Sequence, residues 1–161
     1  MTYATKKIVY LLGVVALLAT GCAPHATAPT KVSTRTLSPT KKIVLGNTTL
    51  SVQVATTQNE QLQGLSGIES IHANEGMLFP YSPATDPVFW MKDMLFPIDI
   101  IWIRDGFVIS INKDVQPPDT KQADAPLTRY PSPGNVTAVL EVQAGWTTAH
   151  DIRSGSEVTG L

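Results

Sequence analysis

The chain reads as an all-β domain: a compact sandwich or barrel-like single domain with one or two short helices. Three observations predict this. Its apolar runs are short and rich in Val and Ile, as at Lys41 to Leu45 and Val136 to Val142. Turn signals, Gly46-Asn47 and Arg104-Asp105-Gly106, separate neighbouring runs. Helix-terminus signals are confined to short segments, so strands must supply most of the core.

The elements follow in order. Lys41 to Leu45 and Thr49 to Ala55 form a hairpin through Gly46-Asn47. Leu50, Val52 and Val54 alternate with Ser51, Gln53 and Ala55, which gives the second strand one buried face. Gln58 to Leu65 is a short helix, capped by Thr57 or Asn59 and ended by Gly64. Gly76 to Phe79 and Val88 to Met91 are short apolar runs. Pro97 to Ile103 is apolar on both faces except at Asp99, and turns into Phe107 to Ile111. Val115 to Gly134 holds five prolines and reads as a long surface loop. Val136 to Val142 is a strand, Trp146 to Ile152 one or two helical turns, and Glu157 to Gly160 ends the domain.

Ahead of this domain lies a different kind of chain. Lys6 and Lys7 precede an apolar run from Ile8 to Ala19, and Leu18-Ala19-Thr20-Gly21-Cys22 closes it. This resembles the signal peptide and lipobox of a bacterial lipoprotein. Gly21 is small enough for a peptidase to cut before Cys22, whose thiol would carry diacylglycerol with palmitate-like acyl chains. A retained membrane helix needs about 20 apolar residues, and this run is shorter. A plain secretory signal would end in an Ala-x-Ala-like site, which Ala23-Pro24-His25 matches poorly. The expected organisation is a signal peptide over 1–21, a tether over 22–40 and the domain over 41–161. The tether is rich in Ala, Thr, Ser and Pro and lacks hydrophobic periodicity. Ala23 is not the aspartate that retains some lipoproteins at the inner membrane, and the sequence leaves cell membrane and outer membrane both open as extracytoplasmic locations.

Cys22 is the only cysteine. Once lipidated, it leaves the domain without a disulfide, a thiolate nucleophile or a cysteine metal ligand. No acidic residue precedes Glu60; from there on the chain holds 13 acids and 6 bases. A basic tether suits an anionic bilayer, and an acidic domain without a basic patch argues against nucleic acid. His25, His72 and His150 are isolated, so zinc spacing is absent, and no cofactor is implied. No Gly-x-Ser-x-Gly, P-loop or dinucleotide fingerprint occurs.

Seven of the 11 aromatic residues lie between Gly76 and Phe107. Here the chain resembles a known family, the domain of unknown function 192 family of bacteria and archaea. The matching pieces are Val54-Ala55-Thr56, Gln63-Gly64-Leu65-Ser66, Gly76-Met77-Leu78-Phe79, Phe89-Trp90-Met91-Lys92, Pro97-Ile98-Asp99-Ile100, Leu140 through Gly145, and Gly155-Ser156-Glu157-Val158. They occur in the family's order over about residues 43 to 159. The resemblance implies one mostly-β domain, often exported, and no particular reaction. Asp93-Met94 stands where members usually carry Asn-Thr, and Ser66 where they carry Met.

Four residues are candidates for ligand binding or catalysis. Asp99 sits among isoleucines, so its carboxylate needs a partner, with Lys92, Arg104, Arg129 and Arg153 available; a structural turn anchor is the simplest role. Glu141 lies between Leu140 and Val142, facing the side of Val139 and Gln143. If Asp99 and Glu141 shared a cleft, they could serve as acid and base on a glycan. Trp90 and Lys92 would share one strand face, opposite Phe89 and Met91, offering a stacking platform beside a donor unless that face is core. Met77, Met91 and Met94 could form a soft Cu(I) site, although methionine is more often core filler. The favoured reading is a lipid-anchored envelope binding module for a glycan or another envelope component. The alternatives are an envelope hydrolase using Asp99 and Glu141, and a structural or partner-binding lipoprotein without a small ligand.

Overall fold

Strand follows strand as the sequence predicts, and the sheet they build curls into a half-barrel. The computed structural model describes residues 41–119 and 127–161. The signal segment, Cys22 and the tether lie outside the described residues. The main sheet contains β1 (Lys41–Leu45), β2 (Thr48–Val54), β3 (Glu75–Thr85), β5 (Ile98–Arg104), β6 (Phe107–Val115), β8 (Val136–Gln143) and β9 (Val158–Thr159). Its order is β6-β5-β8-β3-β2-β1-β9. A second sheet pairs β4 (Val88–Trp90) with β7 (Arg129–Pro131). Among the described residues no helix is long and apolar enough to cross a membrane.

Local chemistry explains the turns. Gly46 takes a positive φ of 58° between β1 and β2, a conformation that costs a glycine nothing. Asp105 and Gly106, both at positive φ, reverse the chain between β5 and β6. The helix α1 (Gln58–Gln63) starts at Thr57, whose hydroxyl accepts from the Glu60 amide while the Glu60 carboxylate accepts from the Thr57 amide. It ends at Gly64, as expected.

Two arrangements go beyond the sequence reading. First, β2 and β3 pair in parallel, with α1 in the crossover between them; hairpin signals alone would have made every pair antiparallel. Second, the proline-rich segment is not loop throughout. β6 continues to Val115, and Arg129–Pro131 forms β7, held by β4 across the pairs Val88↔Pro131, Phe89↔Tyr130 and Trp90↔Arg129. Proline is tolerated at such an edge.

The sheet's two ends meet. Glu157 bridges to Phe107, Val158 N–H donates to the Gly106 carbonyl at 2.7 Å, and Val108 N–H donates to Ser156 at 2.9 Å. These bonds join the β9 end to the β6 edge. Inside the curl lies one apolar cluster, including Ile43, Leu50, Leu78, Ile101, Leu140, Val142 and Trp146. On the outer face lies a second, including Leu65, Ile68, Met77, Phe79, Ile98, Ile100, Trp102 and Val139, roofed by the crossover and by the segment after β4. Both faces of β5 are therefore covered, which is why Pro97 to Ile103 is apolar on both sides. Met77, Met91 and Met94 are all buried in the outer cluster, where they serve as packing.

Candidate functional site

Strand alternation separates the two buried carboxyls. Asp99 pairs with Val142, and Ile100 with Glu141. Adjacent residues on a strand point to opposite faces, so Asp99 faces the inner cluster and Glu141 the outer one. The two do not share a cleft, and a paired-carboxylate arrangement is not built.

Asp99 is fully buried and accepts four hydrogen bonds. Oδ1 accepts from the amides of Asp114 at 2.9 Å and Gly145 at 3.2 Å; Oδ2 accepts from the Thr147 amide at 3.0 Å and the Thr147 hydroxyl at 2.6 Å. The partner expected from the sequence was a lysine or arginine. Backbone amides from β6 and from the start of α2 (Trp146–Ala149) take that place. Their carboxylate holds the β5–β6 ladder against the turn that follows β8.

Glu141 is placed differently. It is 5% exposed, and its Oε2 has no hydrogen-bond partner. Its cross-strand neighbours are Met77 and Ile100, both apolar. Burial pushes its carboxyl up from the usual range to about 8, because the charged form finds nothing to compensate lost hydration. It forms the floor of a cleft of about 280 Å³. One wall is α1 and the turn after it, through Gln58, Gln61 and Gly64. The other comes from β3 and β4, through Phe79, Tyr81, Phe89 and Trp90. The size is near the lower end for small-molecule sites.

The aromatic wall is ordered by edge-to-face contacts. Phe89 meets Phe79 with ring centroids 5.0 Å apart and Trp102 at 5.6 Å. Burial, and then the charge of Glu141, push the Tyr81 phenol up to about 12. Across the small sheet, the Arg129 guanidinium lies 4.3 Å from the centroid of the Trp90 ring. One face of Trp90 is thus already stacked. Gly64 adopts φ 49° and ψ −135°, and a Cβ there would stand 3.6 Å from Phe79 and 3.8 Å from Glu141 Oε2. A side chain at that position would strain the backbone.

Of the four candidate residues, the structure brings Trp90 and Glu141 together. Lys92 is exposed in the turn after β4 and does not line the cleft; its carbonyl accepts from the Ser66 hydroxyl at 2.7 Å. The strand ends at Trp90, so the expected Trp90–Lys92 face does not extend that far. Tyr81, Gln58, Gln61 and the stacking of Arg129 on Trp90 were not anticipated; Arg129 was expected only as a candidate partner of Asp99. Gln63, Gly64, Phe79 and Phe89 carried a signal only as parts of family motifs, Gly64 also as a helix terminator. Among the described residues no group of three or more His, Cys, Asp or Glu could hold a metal ion.

The fold and cleft define a class: a single mostly-β domain that curls around one core and carries an aromatic-walled cleft with a carboxyl floor on its outer face. The chain belongs to the DUF192 family, described as an uncharacterized ACR, which matches residues 41–160. Comparison with curated proteins gives no match. Two solved structures share the fold. One is a "putative transcription regulator" from Sinorhizobium meliloti 1021, with TM-score 0.67 and 25% identity, covering 78% of this chain and 98% of that one. The other is a protein of unknown function from Novosphingobium aromaticivorans DSM 12444, with TM-score 0.66 and 25% identity, covering 81% and 97%.

Proposed function

We propose that this protein is a lipid-anchored binding module of the bacterial cell envelope, taking a small ligand, a glycan or another envelope component, into the Glu141 cleft. The observation that carries the reading is Glu141, which lines an aromatic-walled concavity while its Oε2 is buried without a hydrogen-bond partner. A buried polar atom without a partner costs stability, and a cleft of this kind with a perturbed carboxyl is where a ligand is expected. Binding is favoured over glycoside hydrolysis because that chemistry uses two carboxyls flanking one bond, and Asp99 lies on the other face of the sheet with its acceptors occupied. The anchor rests on Lys6, Lys7, the apolar run and the Gly21-Cys22 junction. A nucleic-acid partner is disfavoured by the charge balance, 13 acids against 6 bases from Glu60 onward.

The test has two arms. Cells fed a labelled fatty acid should label the wild-type protein but not Cys22→Ala, which should leave the membrane fraction. Purified full-length protein in detergent should co-sediment with isolated cell-wall glycan, and Trp90→Ala should weaken this. Absence of label defeats the anchor, and absence of co-sedimentation defeats the glycan.

A further inference from the structure

The chemistry lining the cleft narrows what it accepts. Its titratable lining groups are Glu141 and Tyr81 only; no lysine, arginine or aspartate lines it. An anionic ligand would find no counter-charge there. A cationic one would find a face of Trp90 already taken by the Arg129 guanidinium. The remaining class is neutral. Burial keeps Glu141 protonated near neutral pH, so it presents one O–H donor as well as acceptor capacity. The matching ligand group is a neutral carbonyl on a small apolar frame. Phe79 and Phe89 provide apolar surface in the same lining as the carboxyl, which also includes the exposed Gln58 and Gln63, polar residues suited to the hydroxyls of a larger body.

Resting on the binding-module reading, we infer that the cleft takes the acetamido group of an N-acetylated glycan, its carbonyl oxygen accepting from the Glu141 carboxyl and its methyl against the Phe79–Phe89 wall. The role of Glu141 is that of a neutral donor, not a charge. The raised Tyr81 phenol stays neutral across the working range.

The full-length protein in detergent is titrated with N-acetylglucosamine, glucosamine, glucose and N-acetyl-lysine, followed by tryptophan fluorescence and calorimetry. N-acetylglucosamine should bind at least about tenfold more tightly than glucosamine or glucose, the loss expected when a buried donor goes unmatched. Glu141→Gln keeps a donor of similar shape and should bind within about threefold of wild type, whereas Glu141→Leu should lose binding. Raising the pH through about 8 should weaken wild-type binding by about tenfold at about pH 9. Glu141→Gln should show no such fall. Circular dichroism of both variants reports that they remain folded.

Preferential binding of glucosamine, abolished by Glu141→Gln, would overturn the inference in favour of a cation. Binding of N-acetyl-lysine without N-acetylglucosamine would overturn the glycan. Cell-wall glycan that co-sediments equally before and after chemical de-N-acetylation would overturn the acetamido assignment while leaving the binding-module reading intact. No binding to any glycan would overturn this inference and, with it, the glycan arm of the binding-module reading.

Discussion

At Asp99 four donors converge on one carboxylate, and removing its charge leaves them facing an amide. In Asp99→Asn one of the two oxygens becomes an NH₂ group. If that group replaces Oδ2, it confronts the Thr147 amide and hydroxyl, now 3.0 and 2.6 Å away; if it replaces Oδ1, it confronts two amides instead. Either way at least one buried donor loses its acceptor, so unfolding free energy should fall by about 2–4 kcal/mol. Urea denaturation measures this, and an unchanged midpoint would contradict a structural role. Glu141 behaves in the opposite sense. Its folded pKa of about 8 lies above the ordinary 4.5. Between these values the unfolded chain has released a proton that the folded chain retains. Its contribution to stability is therefore greatest at low pH, declines as pH rises from about 4.5, and levels off above about 8. At pH 7 the loss is on the order of 3 kcal/mol, from about 1.4 kcal/mol per pH unit. Glu141→Gln should flatten this dependence and stabilise the protein at neutral and alkaline pH. A variant as pH-dependent as wild type would place the titration elsewhere.

At the scale of elements, the cleft depends on how closely β3 approaches β8. Gly76 allows it: a Cβ there would lie 2.6 Å from the Glu141 carbonyl, a backbone atom that cannot swing aside. Gly76→Ala should push the strands apart, destabilising the domain by about 2 kcal/mol or more and displacing Glu141. Thermal unfolding reports the first effect, and a changed pH dependence of stability the second. On the cleft's other wall, α1 has six residues and buries none of them; its caps fix its ends, and the Gln61 amide ties it to the sheet by donating to the Ala55 carbonyl at 3.4 Å and the Pro80 carbonyl at 3.5 Å. Thr57 and Gly64 were legible in the sequence because capping is a local chemistry of adjacent residues. The parallel β2–β3 pairing was not, because it joins strands separated by the whole crossover, and no turn residue encodes it.

For the whole molecule, closure depends on a short terminal segment. Val158 is buried and pairs with Leu45, while Glu157 bridges to Phe107. Deleting residues 156–161 should open the inner core to water and expose two strand edges. We expect a large loss of thermal stability and a tendency to aggregate, seen by calorimetry and light scattering; a variant as stable as the full chain would mean that closure is dispensable. The amino-acid order alone determined the strand runs, the hairpin turns at Gly46 and Asp105-Gly106, the capped helix before Gly64, and the family. Each rests on residues close in sequence, through periodicity, φ preference or capping. Tertiary structure decided the rest. Alternation states which residues of one strand share a face, but only register between strands places Ile100 opposite Glu141 and Asp99 opposite Val142. That register put the two carboxyls on opposite faces, gave Asp99 its amide partners, left Lys92 in an outer turn, and set Trp90 and Arg129 together at the edge of the Glu141 cleft. Such pairings form between distant segments and are selected by the packing of the whole sheet, so no local signal carries them.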